Sequence, residues 1–158
     1  MTAIALICTA NRCRSVMAHA IFAAEVEIRS LPVEVYSAGV LDFRGAPPIH
    51  DTLQTCLDHN TPSPKEDPDW ISDLPLDSIT RFLVMENYHA DVLVNDFGIS
   101  SDRVTLLGEF DPHERGPEID DPFGQSPAVY KRSYQRIRDC IVNYLDTAQE
   151  MRREAEEV

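Results

Sequence analysis

The sequence predicts an α/β fold built on a mainly parallel sheet, and three observations lead there. Apolar strand-like runs alternate with helix-periodic segments along the chain. The first run, AIALIC at 3–8, is apolar without interruption, as a strand covered on both faces must be. The polar turn that leaves this run leads straight into a helical pattern, which is how a βαβ unit begins. With 158 residues, 43% of them hydrophobic, the chain is long enough for one domain over 1–158 with a real core.

The later elements follow in order. From Ser15 the residues Met17, Ile21, Phe22 and Ile28 recur at helical spacing, and the pattern stops before Leu31-Pro32. VEVYSAG at 33–39 alternates as a second strand and ends on Gly39, and Pro47-Pro48 then opens a predicted helix over 49–58. Residues 60–77, NTPSPKEDPDWISDLPLD, are rich in proline and acid and read as a long loop, functional or mobile. A third strand is expected at 79–85, a helix at 87–95 and a fourth strand at 103–107. A second long loop over 108–126 leads into a terminal helix carrying Val129, Tyr130, Tyr134, Ile137, Ile141 and Leu145 on one side. The charged tail from Gln149 is expected to fray.

The formal net charge of −13 argues against a general nucleic-acid binder and against attachment to anionic lipid. No apolar run is long enough to cross a membrane, and MTAIALIC lacks the basic flank of a signal peptide. Without a secretory signal the four cysteines, Cys8, Cys13, Cys56 and Cys140, predict a reducing, cytoplasmic setting. Their spacing lacks the paired clusters of a zinc site, so no metal is expected.

Chemistry concentrates in CTANRCRS at 8–15. A turn entering a helix aims free backbone N–H groups at one point, where the helix dipole adds positive potential. Thr9, Ala10, Asn11, Arg12 and Cys13 would form this cradle, and Arg14 adds a planar fork matched to two phosphate oxygens. A Cys8 thiol facing the cradle has its thiolate favoured by these groups, with Ser15 as a further donor. Such a sulfur can attack phosphorus and carry it as a phosphocysteine. Asn11 suits the left-handed backbone that such a loop needs. The loop has no glycine, and none of the six glycines forms a nucleotide-binding motif. A structural reading competes: Cys8 as a buried strand-end residue and Arg14 as a surface charge. The acid that a phosphocysteine mechanism requires is expected at Asp121 in EIDDPFGQS, where Pro122 holds it extended.

Taken together, CTANRCRS and the late Asp-Pro-Phe resemble the low-molecular-weight protein tyrosine phosphatases. The likeness continues through YSAG (36–39), FLVMENYHADVL (82–93), LLGEFDP (106–112) and the closing helix. It is nearest to the bacterial branch associated with capsule and exopolysaccharide tyrosine kinases. The resemblance implies a three-layer sandwich with flavodoxin-type winding, a four-stranded parallel sheet flanked by helices, and no metal or organic cofactor. It implies Cys8 as nucleophile, Arg14 as phosphate clamp, Asp121 as general acid, and Asn11 and Ser15 as shapers of the loop. Ser37 supports the loop from the second strand, Phe123 and Phe43 wall the substrate, and Cys13 can form a reversible disulfide with Cys8. The implied substrate is a phosphotyrosine protein, such as the tail of a tyrosine kinase. Tyr130 and Tyr134 are phosphorylated in some relatives; here they read as packing residues.

The chain also departs from that family. Ala10 stands where glycine is usual, and if that position needs a left-handed backbone alanine costs about 1 kcal/mol. Val16 replaces a proline, His19 replaces a glutamate and reads as a satisfied helix residue, and the family's histidine-and-arginine support segment has no counterpart. NTPSPKEDPDW stands there instead, with Trp70 read as a loop anchor. Three rival functions follow: a phosphoarginine phosphatase, a non-catalytic phosphate sensor, and an arsenate reductase, which would need cysteines that residues 57–139 lack. Members acting on phosphoarginine tend to carry a small polar residue where this chain has Arg12. A guanidinium there repels a cationic phosphoguanidine, provided Arg12 faces the pocket and not solvent.

Overall fold

The computed structural model describes residues 2–157. Four parallel strands, β1 (Thr2–Cys8), β2 (Val33–Gly39), β3 (Arg81–Val84) and β4 (Val104–Leu106), lie in the order β2-β1-β3-β4. Strand β1 pairs with β2 along its whole length, from Thr2 opposite Val33 to Cys8 opposite Gly39. On its other edge it pairs with β3, from Ile4 opposite Arg81 to Ile7 opposite Val84. The chain therefore builds outward from β1 in one direction and then reverses. The crevice beyond the carboxyl ends of β1 and β3 is the switch point at which such sheets bind ligands. Cys8 is the last residue of β1.

The uninterrupted apolar run of β1 is explained by its two covered faces. Ile4 and Leu6 pack with α1 (Arg14–Ile28) and α4 (Pro127–Glu156), against which α2 (His50–Asp58) also lies. Ala3, Ala5 and Ile7 face the opposite layer, formed by α3 (Asn87–Asn95) and the segment around Ile71 and Ile79. The expected three layers and parallel sheet are therefore present.

Element limits differ from expectation at β3, at β4 and in the tail. Strand β3 is shorter than 79–85, and β4 is shorter than 103–107 because the 3-10 turns Ser101–Arg103 and Leu107–Phe110 abut it on both sides. The charged tail from Gln149 is helical, since α4 continues to Glu156. Arg29 of the first helix region bonds both Asp146 and Gln149, and Arg152 pairs with Glu156 one turn on. The 60–77 stretch lacks long elements yet is anchored. Trp70 bridges to Gly39, donates from Nε1 to the Val40 carbonyl at 3.3 Å and packs edge-on against Phe97. Among the described residues no helix is long and apolar enough to cross a membrane.

Candidate active site

The turn between β1 and α1 wraps around the Cys8 sulfur. The backbone N–H of Asn11 points at Sγ over 3.3 Å, and the Ser15 hydroxyl lies 2.9 Å from it. Asn11 is left-handed, with φ of 56°, while Ala10 is not among the left-handed residues. The substitution of glycine at position 10 therefore carries no backbone strain, because asparagine one residue on makes the turn. No side chain caps α1 and its first turn holds no acid, so its N–H groups stay open to an anion.

Arg14 is almost wholly buried, which rules out the surface-charge reading. Its Nη1 donates to Glu86 Oε2 and to the Ile119 carbonyl, both at 2.7 Å. Its Nη2 makes only a 3.5 Å contact to Thr9 Oγ1 and lies 3.8 Å from Asp121 Oδ2. One side of the fork is thus held by protein while the other faces the cavity. Glu86 and His89, missed as site residues, complete this bracket. His89 Nδ1 accepts the Glu86 backbone N–H at 3.0 Å, which places the ring proton on Nε2, 2.9 Å from Thr9 Oγ1. Burial, and then the Arg14 cation, push His89 down to about 3 against the pull of Asp121, so it works as a neutral spacer. The only sequence signal for the pair is their place just after β3, inside the quoted VMENYHA.

The cavity measures about 170 Å³. Cys8, Thr9, Ala10, Cys13 and Arg14 form its floor, and Arg12, Phe43, Ile49, Asp121 and Phe123 its walls and rim. Asp121 and Phe123 both stand at the mouth, Phe123 58% exposed, and the Phe123 N–H donates to Asp121 Oδ1 at 3.0 Å. Arg12 does line the pocket, and its guanidinium is tied to the Pro47 carbonyl through Nε at 3.3 Å and Nη2 at 2.9 Å.

Behind the loop, Ser37 and Gly39 at the end of β2 supply support. Gly39 is required by contact: a Cβ there would sit 2.6 Å from the Thr9 carbonyl oxygen and 2.7 Å from the Ala10 carbonyl carbon. The Ser37 hydroxyl meets Asn11 Nδ2 at 3.2 Å and His19 Nδ1 at 2.7 Å, so His19 is a satisfied helix residue. The segment that stands where the family's histidine-and-arginine support lies contacts the same loop. Lys65 bonds Ser37, and the Asp69 N–H donates to Asn11 Oδ1 at 2.9 Å. Sequence reading missed Lys65, Asp69 and Gly39; only the last had a signal, as the strand-ending glycine of YSAG.

All four cysteines are free. Burial pushes the Cys56 and Cys140 thiols up to about 12, and both pack in the core away from the pocket. Cys13 is also raised by burial, although bonds from Tyr130 and Thr52 oppose the shift, and its sulfur lies 3.4 Å from the Tyr130 hydroxyl. Tyr130 and Tyr134 are buried as helix-packing residues, Tyr134 stacked on His59 at 4.1 Å.

A cysteine at the floor of an arginine-bracketed anion cradle, at the switch point of a four-stranded parallel sheet, defines a phosphate-handling α/β protein. Residues 3–157 match the family described as low molecular weight phosphotyrosine protein phosphatase, and the chain belongs to that family. It is 30% identical over 144 residues to a protein-arginine-phosphatase of Bacillus subtilis, covering 87% of this chain and 91% of that protein. It is also 30% identical over 139 residues to the low molecular weight protein-tyrosine-phosphatase PtpB of Staphylococcus epidermidis, covering 87% and 93%. The solved arginine phosphatase from Geobacillus stearothermophilus superposes with a TM-score of 0.83 at 28% identity, covering 98% of this chain and 97% of that one.

Proposed function

We propose that the protein is a protein-tyrosine phosphatase working through a phosphocysteine. Cys8 Sγ attacks phosphorus in line, and the new S–P bond forms as the P–O bond to the aryl oxygen breaks. The departing oxygen takes the Asp121 proton. Arg14 and the N–H groups of the turn hold the equatorial oxygens, where charge spreads in the transition state. Water then attacks the phosphocysteine, Asp121 accepts its proton, and inorganic phosphate leaves as the S–P bond breaks. Phe43, Ile49 and Phe123 offer apolar surface to the ring.

The same machinery serves phosphoarginine, and relatives of both names occur at equal identity. The observation that carries the tyrosine reading is Arg12 at the pocket wall, fixed there by Pro47. A guanidinium at that place disfavours a cationic phosphoguanidine by about 1 kcal/mol, or about fivefold in relative turnover. The test is a panel of phosphotyrosine, phosphoarginine and phosphoserine peptides. Phosphotyrosine should be hydrolysed fastest, and Arg12→Thr should narrow its lead over phosphoarginine. A parent enzyme that prefers phosphoarginine refutes the assignment.

A sensor without chemistry is disfavoured by the presence of Cys8, Arg14 and Asp121 around one cavity, and an arsenate reductase by the burial of Cys56 and Cys140. Regulation belongs to the same proposal. A peroxide would take two electrons from the Cys8 and Cys13 thiols, joining them as a disulfide that an added thiol reduces.

A further inference from the structure

We propose that Lys65 is a positioning residue for Cys8, clamping Ser37 and Asp69 so that Asn11 and Ser15 are both held as donors toward the sulfur. The inference rests on the reading that Cys8 is the reacting group.

Lys65 comes from the irregular segment after α2, and its side chain is only 11% exposed. A lysine that buried is uncommon unless its ammonium is fully partnered, and here all three donors are used. They reach the Ser37 carbonyl at 3.0 Å, Ser37 Oγ at 3.2 Å and Asp69 Oδ2 at 2.7 Å. Burial makes the ammonium easier to deprotonate, and Asp69 opposes this.

Counting protons around these atoms gives the network a direction. Ser37 Oγ accepts from Lys65 and from Asn11 Nδ2, so its own proton goes to His19 Nδ1 at 2.7 Å. That needs a bare Nδ1, which agrees with a His19 pushed down to about 4 by burial and by Lys65, with Asp69 opposing. Asn11 Oδ1 accepts the Asp69 N–H, which settles which way the amide points. Its Nδ2 then donates to Ser15 Oγ at 2.7 Å as well as to Ser37. With Ser15 accepting there, its hydroxyl proton is free to point along the 2.9 Å contact to Cys8 Sγ. Asp69 is fixed in turn by Lys65 and by the Gly39 N–H on its carbonyl at 2.9 Å. Without the ammonium, Ser37 has a vacant lone pair, His19 can change tautomer, and the Asn11 amide loses its fixed register.

The test compares the parent with Lys65→Met and Lys65→Arg in two assays. The first is alkylation of Cys8 by iodoacetamide at fixed pH, which requires no substrate and so stands apart from the phosphatase reading. The second is kcat and KM on an aryl phosphate. Lys65→Met, shown folded by thermal denaturation, should alkylate about 10-fold more slowly, with kcat falling similarly and KM changing less than about twofold. Lys65→Arg, which keeps charge and donors, should recover most of both. Should Lys65→Met not fold, Lys65→Gln serves the same comparison. If the folded uncharged variant alkylates at the parental rate, or Lys65→Arg is as slow as Lys65→Met, the positioning role is wrong. Parental alkylation without turnover on any phosphate would count against the phosphatase reading alone.

Discussion

The Cys8 sulfur and the Arg14 guanidinium share one cavity floor but are held by separate sets of partners. Asn11 and Ser15 contact the sulfur, whereas Glu86 and Ile119 grip only one nitrogen of Arg14. Asp121 belongs to neither set and stands 48% exposed at the rim, 3.8 Å from Arg14 Nη2. In the proposed mechanism Asp121→Asn should spare the sulfur and remove the acid. Turnover of phosphotyrosine should fall by about 10²- to 10⁴-fold, and a phosphocysteine should be trapped and visible by mass spectrometry as phosphate added to the intact chain. Cys8→Ser, which replaces the sulfur of the proposed nucleophile, should lower turnover by about 10³-fold or more. Wild-type turnover in either variant would remove that residue from the mechanism.

Elements set this geometry by meeting at their ends. Strand β2 presses against the loop because Gly39 has no side chain, and the carbonyls of Cys8 and Thr9 accept from Val40 and Leu41 at 3.0 Å just beyond it. Gly39→Ala forces the loop outward. Overpacking of this kind costs about 1–3 kcal/mol. At about 2–4 °C per kcal/mol for a chain of this size, calorimetry should show a drop of several degrees, with activity falling further because the displaced segment is the cradle itself. Unchanged stability and turnover would mean that β2 and the loop are not held in contact.

Across the whole molecule, two histidines, His89 buried and His19 half-buried, couple acid stability to the site. His89 faces Arg14, Glu86 and Asp121, and His19 faces Lys65 and Asp69; both lose proton affinity on folding, to about 3 and about 4. The unfolded chain, with ordinary histidines near 6.5, then binds more protons over that range. Their contribution is flat above about pH 6.5 and turns destabilising as pH falls, by up to about 1.4 kcal/mol per pH unit for each histidine. Asp111 adds a further loss at lower pH. Burial alone would raise it, but Arg115 and Arg136 hold it at about 2. Melting curves between pH 7 and 4.5 should fall accordingly, and His89→Gln should flatten the slope. An equal slope in that variant would show that His89 does not titrate on unfolding.

The order of strands and helices, and the pairing of a cysteine turn with a late aspartate, were legible in the residues. Those features are local: apolar periodicity follows from which faces are covered, and CTANRCRS carries its chemistry within one turn. The bracketing of Arg14 by Glu86, the place of Arg12 on the wall, and the support from Lys65 and Asp69 emerge only in the folded chain. These depend on which distant segments the strand order brings to the carboxyl edge of the sheet. A half-buried glutamate after β3 and a lysine in a proline-rich loop have no periodic pattern to announce them. Their roles exist only once β1 lies between β2 and β3 and their polar groups must find partners there.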